Sequence, residues 1–278
     1  MQDTRSSHRF GVAVRSTARA FLVLLACSWL LLHLDSIHQR RKAERLFEDL
    51  RSFPFATAGF AEVRGLTNRY GGSAVQQFPG LEFPHYGLPL VDSTGQVHVP
   101  PIQVGPFSCT VRDCVFEISI RTRLAWLPSQ GWRGERLYEV LQCLGIRPWV
   151  VYANFEVREG KLKRSRTAVG YLRSDRLGRY DGLIPFGYEI VSVTDPRSLE
   201  GSDDYTVSFT HVMGSPADIL IARFLQTPEA PIRRAFDLNL HCLTTLLHGC
   251  GGFDELAPSA WSDYEAREAK LGEEGHHP

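Results

Sequence analysis

An apolar segment near the N-terminus constrains the fold of this chain more than any other feature. Residues 20–34, AFLVLLACSWLLLHL, include only two polar side chains, Ser28 and His33. Fifteen helical residues reach about 22 Å, against about 30 Å of hydrocarbon in a bilayer. Including residues 18–37, with the Arg19 side chain extended toward the lipid headgroups, closes most of this difference. The segment therefore predicts a transmembrane anchor over residues 18–37, through which the protein contacts the membrane.

Two cleaved forms of the segment are the alternatives to an anchor. A secretory signal peptide carries a small-x-small cleavage motif after its apolar run, whereas the sequence here continues with DSIHQRRKAERL. A lipoprotein signal would place the mature N-terminus at Cys27. The apolar stretch before that cysteine is short, and SWLLLHL continues after it. The flanks therefore favour an uncleaved signal-anchor.

The charges on either side of the segment give its orientation only a small bias. The positive-inside rule counts Lys and Arg in the flanks and gives acids little weight. The two flanks are nearly balanced, with Arg5, Arg9, Arg15 and Arg19 on one side and Arg40, Arg41, Lys42 and Arg45 on the other. The short basic tail, residues 1–17, precedes the first apolar segment. We therefore expect a cytoplasmic N-terminus and a main domain outside the cytoplasm, in a periplasm or lumen.

The composition of the whole chain is that of an ordinary globular protein. Its 278 residues are 43% hydrophobic and 22% charged, enough for one sizeable core. The 31 Lys and Arg residues balance 31 Asp and Glu residues, and this balance argues against a general nucleic-acid binder. We predict no nucleic-acid partner, no cofactor and no metal.

Hydrophobic periodicity predicts an α+β fold, strand-rich and mostly antiparallel, with a few flanking helices behind the single N-terminal transmembrane helix. Helical spacing favours helices over residues 43–50, 60–70, 134–144, 215–225 and 258–270. Alternation favours strands in FEISIRTRL, WVVYANFEV, LKRSRTAVGYL, FGYEIVSV, YTVSFTHVM and AFDLNLHCL. We predict one globular domain over residues 38–268, with a division near residues 128–132 as the alternative, and a disordered tail over residues 269–278.

The sequence lacks the compact catalytic signatures, such as a G-x-S-x-G elbow, an H-E-x-x-H helix or a phosphate-binding glycine loop. An anchored domain without such motifs is best interpreted as a binding or scaffolding module of the cell envelope. A membrane-anchored, hydrolase-like enzyme is the alternative. A cationic cluster, REGKLKRSR at residues 158–166, is interpreted as a hairpin whose charges protect an edge strand from aggregation.

Two cysteine pairs are predicted to form structural disulfides. CTVRDC places Cys109 and Cys114 at the two ends of a short turn, and such a turn is required because strand residues five apart face opposite sides. In HCLTTLLHGC, His241 and Cys242 would point apart in a strand and could not ligate one ion. Cys250 precedes two glycines that allow the chain to turn back. A Cys242–Cys250 disulfide is favoured over two thiols or a metal site, and Cys143 is predicted to be a buried thiol.

We expect both pairs to be oxidised in the mature protein. Closing so short a loop contributes about 2–3 kcal/mol in the chain-entropy account. The measurement is the mass of peptides from a non-reduced digest, compared with the same digest after reduction. Alkylation of Cys109 and Cys114 without reductant would contradict the first pair. A free-thiol mass, or stoichiometric zinc that is lost in Cys242→Ser, would contradict the second.

Overall fold

A seven-stranded sheet lies at the centre of the computed structural model. The structure describes residues 4–75, 90–91, 97–98, 109–110, 112–124, 137, 140–141, 144, 146–174, 183–194, 204–212, 217–226, 229–245 and 249–274. The strands are β1 (Ser73–Val75), β2 (Leu90–Val91), β3 (Val97–His98), β4 (Cys114–Arg121), β5 (Trp149–Arg158), β6 (Lys161–Ser174), β7 (Leu183–Val193), β8 (Tyr205–Val212) and β9 (Ala217–Leu225).

The order of strands in the large sheet is β1-β4-β5-β6-β7-β9-β8, and β2 and β3 form a separate two-stranded sheet. Every pair in the large sheet is antiparallel except β7 with β9, which is parallel. The predicted α+β class, with a mostly antiparallel sheet and a few helices, is confirmed. The strands before and after residues 128–132 belong to one sheet, although those residues themselves lie outside the described part of the chain.

The helices are α1 (Thr4–Arg51), α2 (Phe60–Arg69), α3 (Glu229–Ala235), α4 (Phe253–Leu256) and α5 (Pro258–Glu274), with a 3-10 helix at Leu240–Thr244. Helix α1 includes the predicted basic tail over residues 1–17 from Thr4 onward. Helix α5 continues to Glu274 and so includes residues 269–274, which the sequence assigned to a disordered tail. Of the predicted helix over residues 134–144, the described positions 137, 140 and 141 are helical, and Cys143 lies outside the described residues.

Helix α1 is a single element of 48 residues with two different environments. Its N-terminal part is long and apolar enough to span a membrane, and the rest of the protein buries only 6% of this apolar stretch. Its C-terminal part is buried in the domain, with Ala43, Leu46 and Leu50 all at 0% exposure. The spacing i, i+3 and i+7 that predicted an amphipathic helix after the apolar run corresponds to this buried stripe.

The core lies between the sheet and the helices. Phe55 stands against Phe224 of β9 with ring centroids 5.5 Å apart, and stacks on Phe236 at 6.0 Å. The β5–β6 hairpin has a two-residue turn in which Glu159 and Gly160 both have positive φ, 52° and 77°. This is the backbone that suits a two-residue hairpin. The predicted WVVYANFEV–LKRSRTAVGYL hairpin is therefore confirmed.

The prediction of a helix over residues 215–225 is wrong, because Ala217–Leu225 form strand β9. Strand β9 inserts between β7 and β8, and both of its faces meet apolar neighbours. Leu220, Ala222 and Phe224 face the helices, while Ile221 packs on the other side. A strand that is apolar on both faces loses its two-residue alternation, and its sequence then resembles that of a buried helix.

The predicted strand AFDLNLHCL is also wrong. Its first residue, Ala235, is the last residue of helix α3, and Phe236 lies in the turn that follows. Residues 240–244 form the 3-10 helix. The Asn239 amide donates to the Leu256 carbonyl at 2.9 Å, so this segment pairs with helix α4 and not with a strand. Leu240 and Leu243, both buried, are three residues apart, the spacing that a 3-10 helix places on one side.

A pair of leucines in α1 tests the division of this helix into two parts. Leu46→Ala should lower the free energy of unfolding by about 2–5 kcal/mol, because it leaves a cavity in the core. Leu31→Ala removes a side chain that is 67% exposed. This substitution should change the free energy of unfolding by less than about 0.5 kcal/mol. The measurement is urea unfolding of the full chain in detergent, followed by tryptophan fluorescence. Equal effects of the two substitutions would contradict this division.

Candidate functional site: the second face of the sheet

The two faces of the sheet differ in what covers them. Buried apolar residues of the described helices pack with one face, which we call the helix-covered face and which includes Trp149, Val151 and Phe155 of β5. The opposite side, which we call the second face, carries Glu117, Tyr152, Asn154, Arg166 and Glu189. Its buried apolar cluster consists of strand residues alone among the described part of the chain. The described helices therefore do not cover the second face, although its Asn154, Val191 and Val193 side chains are buried.

A row of polar side chains crosses the second face. Glu117 of β4 is opposite Asn154 of β5, and Asn154 is opposite Arg166 of β6. Directly opposed residues on antiparallel strands have Cβ atoms about 4.5–5.5 Å apart. Asn154 is only 5% exposed, and among the described residues its Oδ1 atom has no hydrogen-bond partner. A buried amide oxygen without a donor is uncommon in folded proteins and calls for an explanation.

The Arg166 guanidinium completes the row through an ion pair with Glu189 of β7, at a distance of 2.7 Å between Nη2 and Oε2. The two side chains are 15% and 12% exposed. Because both charges are largely shielded from water, loss of either partner would leave an uncompensated charge. The ion pair therefore holds the β7 end of the polar row in place.

The cationic cluster at residues 158–166 lies in this region and not at an edge. Strands β5 and β6 are central in the sheet, so the proposed protection of an edge strand is wrong. Arg158 pairs with Glu156 at 2.9 Å and Lys163 with Glu159 at 3.5 Å. With the Arg166–Glu189 pair, three of the cations have carboxylate partners. The local charge is accordingly much smaller than the sequence of the cluster indicates.

Burial changes the acid–base properties of two groups in the row. Burial raises the pKa of the Glu117 carboxyl above its ordinary value of 4.5. Burial also raises the pKa of the Tyr152 hydroxyl; the Glu117 charge raises it further, and the Arg121 charge opposes the shift. These two side chains are therefore close enough to influence each other, and both favour the protonated form more than in water.

An apolar patch adjoins the polar row. Val191 and Val193 of β7 are buried, with Ile221 and Leu225 of β9 packed against them. Arg166 is opposite Val191 in the register, so the polar row and the apolar patch meet at β7. A surface with hydrogen-bonding groups beside an apolar area has the composition of a binding site for a mixed polar and apolar ligand.

Sequence reasoning missed this site because it treated the polar positions of each strand as solvent-facing. Glu117 lies in FEISIRTRL, and Tyr152 and Asn154 lie in WVVYANFEV, which the sequence predicted only as alternating strands. The available signal was the polar series Tyr152, Asn154 and Glu156 inside an otherwise apolar strand. That signal does not reveal which strands are neighbours, and the register across β4, β5 and β6 is what assembles the row.

The predicted disulfide residues lie at disulfide distance in both pairs. The Cα atoms of Cys109 and Cys114 are 5.0 Å apart, and those of Cys242 and Cys250 are 4.7 Å apart, with the sulfur atoms within bonding distance. Arg112 and Asp113 hold the β5–β6 turn, since the Gly160 amide donates to the Arg112 carbonyl at 2.8 Å and the Glu159 amide donates to Asp113 Oδ1 at 3.3 Å. Their oxidation in the mature protein stays a prediction.

The Cys242–Cys250 loop rests on helix α1. The Arg40 Nη1 atom donates to Thr244 Oγ1 at 2.6 Å and lies 2.7 Å from Nδ1 of His241. His241 is exposed, whereas Cys242 is buried. No group of three or more potential metal ligands occurs among the described residues. The loop therefore has a structural position, between helix α1 and the core.

No protein family model matches this chain, and no similar protein was found among curated proteins or solved structures.

The stability of the protein should depend on the ionisation of Glu117. A folded-state pKa above the unfolded value means that stability is greatest below the unfolded pKa and falls as pH rises through the folded one. The Glu117→Gln substitution removes this loss of stability at rising pH, because glutamine does not ionise. We expect the variant to be at least as stable as the wild type at pH 7, with the difference decreasing toward about pH 3.5.

The measurement is the urea midpoint of the full chain at a series of pH values. Glu48→Gln, in which an exposed glutamate of α1 is replaced, is the control for the loss of one carboxylate. A Glu117→Gln variant that is clearly less stable than the wild type at pH 7 would indicate that a favourable charge contact outweighs burial.

Proposed function

We propose that this protein is a single-pass membrane-anchored domain that binds or scaffolds a partner at the extracytoplasmic surface of the membrane. The observation that carries the proposal is the continuity of helix α1, which supplies both the apolar segment and part of the domain core. A domain built in this way has no flexible linker to its anchor. Its distance from the membrane is therefore set by the helix itself.

The cysteine pairs support an extracytoplasmic location. Structural disulfides form and persist in oxidising compartments and are rare in the cytosol. Two pairs at disulfide distance, Cys109 with Cys114 and Cys242 with Cys250, suit a periplasmic or luminal domain. The short basic N-terminal tail would then be cytoplasmic, as the order of the basic tail and the apolar segment favours.

The second face is the surface that we assign to the partner. Ser119 and Arg121 of β4 are exposed on it, next to the partly buried Tyr152 of β5. The open edges of the sheet are less suited to strand addition. Strand β1 has only three residues, and the Arg267 Nη1 atom of α5 donates to the Val207 carbonyl of edge strand β8 at 3.3 Å.

A membrane-anchored hydrolase-like enzyme is the second candidate, and Glu117 is the observation that favours it. A glutamate whose pKa is raised by burial, beside a tyrosine, has the properties of a general acid or base. Such perturbed groups occur at active sites and also in structural networks. Loss of a hydrolytic activity in Glu117→Gln, with partner binding retained, would favour the enzyme.

Topology and partner binding can be tested with the tagged full chain in its native membranes. Protease added to spheroplasts should digest the domain, and the intact protein should retain residues 1–40 by mass. Complete protection would place the domain in the cytoplasm, and a mature N-terminus at Cys27 would establish a lipoprotein.

A matched pair of serine substitutions tests the role of the second face. Ser119 is exposed on this face in β4, and Ser262 is exposed on helix α5. After chemical cross-linking in native membranes, a partner should be recovered with the wild type and with Ser262→Arg, and its recovery should fall at least about tenfold with Ser119→Arg, the size of an interface hot-spot effect. Equal recovery with both variants would exclude the second face as the binding surface.

A further inference from the structure

We propose that Leu137, Val140 and Leu144 enter the bilayer beside helix α1, so that the domain contacts lipid directly through these three side chains. This inference rests on the proposed membrane anchoring. It adds a second membrane-contacting element, which is not part of the transmembrane helix, and its ligand is the acyl-chain region of a phospholipid bilayer.

The first observation is an apolar face without cover. Leu137, Val140 and Leu144 are 49%, 56% and 51% exposed. Their spacing of three and four residues places them on one side of a helical turn, and the Leu144 amide donates to the Val140 carbonyl at 3.2 Å. Helical spacing in the sequence predicted a helix over residues 134–144. Their exposed fractions show that the domain's own core does not cover them.

The second observation gives the position of this apolar face along helix α1. The Trp29 Nε1 atom of α1 donates to the Leu144 carbonyl at 2.9 Å. Trp29 lies inside the apolar segment, five residues before its last residue, Leu34. Leu144 is therefore beside the apolar segment itself and not above it.

The contacts that follow mark where the polar region of the protein begins. The Trp149 Nε1 atom donates to the hydroxyl of buried Ser36 at 3.3 Å, and Arg123 pairs with Asp35 at 3.3 Å. Seven residues of helix separate Trp29 from Ser36, which is about 10 Å along the axis. The Leu144 carbonyl and the Trp149 indole thus contact residues of α1 that lie about 10 Å apart along its axis. Interfacial helices bury their apolar faces to a depth of about 5–10 Å.

The short length of the apolar segment constrains the position of the bilayer. Asp35 and Ser36 belong to the domain, so the segment cannot gain length by extending to Ile37 as the sequence suggested. Residues 20–34 span about 22 Å, already less than the hydrocarbon thickness of about 30 Å. Every residue of the segment must therefore lie in the bilayer, and the exposed apolar face beside Trp29 lies there too. Local thinning of the bilayer accommodates the short segment.

The test is photo-cross-linking of the full chain in vesicles of phosphatidylcholine and phosphatidylglycerol. The photoreactive residue p-benzoylphenylalanine replaces Val140, Leu24 or Lys161 in separate variants. Leu24, 65% exposed in the apolar segment, reports on anchoring. Lys161, exposed at the end of β5–β6 farthest from Trp149, is the aqueous control. After irradiation, mass spectrometry measures lipid adducts and locates the new bond on the acyl chain or the headgroup.

We expect acyl-chain adducts at Val140 with a yield similar to that at Leu24 and at least about tenfold above that at Lys161, as for an element at interfacial depth. The same measurement at Leu137 excludes a local folding defect as the cause of a negative result. Adducts at Leu24 but none at Val140 and Leu137, or adducts there on headgroups alone, would overturn this inference and leave the anchor intact. Cross-links from Val140 to a second copy of the chain would also overturn it. Absence of adducts at Leu24 would overturn the anchoring itself.

Discussion

The burial of the C-terminal part of helix α1 in the domain core is the interaction on which the rest of the structure depends. Ala43, Leu46, Phe47 and Leu50 are at most 4% exposed, and they pack with the aromatic cluster formed by Phe55, Phe224 and Phe236. The helix is unbroken between this core and the apolar segment. An α-helix bends sharply only at proline, glycine or an inserted group, so the position of the domain relative to the apolar segment is set by the helix geometry.

Several other contacts hold the domain against the same helix along its length. Asp35 and Ser36 contact Arg123 and Trp149, and Arg40 holds the Cys242–Cys250 loop. Farther along, the Arg51 guanidinium donates twice to the Phe236 carbonyl, at 3.0 and 2.8 Å. Most of these contacts are individual hydrogen bonds of modest net strength between residues far apart in the chain. Their distribution over about four turns opposes rotation of the helix relative to the sheet.

The same arrangement connects the two proposed surfaces. A domain fixed to its anchor presents the second face in one orientation, and the residues around Val140 would limit tilting by contacting lipid. Partner binding at a fixed orientation loses less rotational freedom than binding by a freely tethered domain. The polar row, from Glu117 to Glu189, lies beside the apolar patch at Val191. The second face is therefore asymmetric, with polar groups on one side and apolar groups on the other.

The sequence by itself determined the apolar helix, the amphipathic stripe that follows it, the β5–β6 hairpin and the two cysteine pairs brought to disulfide distance. Each depends on residues close together in the chain, where periodicity and turn chemistry are sufficient. Only the tertiary structure decided that residues 217–225 form a strand, because their apolar character on both faces comes from insertion between β7 and β8. It alone aligned Glu117, Asn154 and Arg166, since strand register brings together residues that the sequence keeps apart. It also placed the apolar turn at Leu144 beside Trp29, 115 residues away in the chain, because no local pattern distinguishes an apolar face that packs in a core from one that faces lipid.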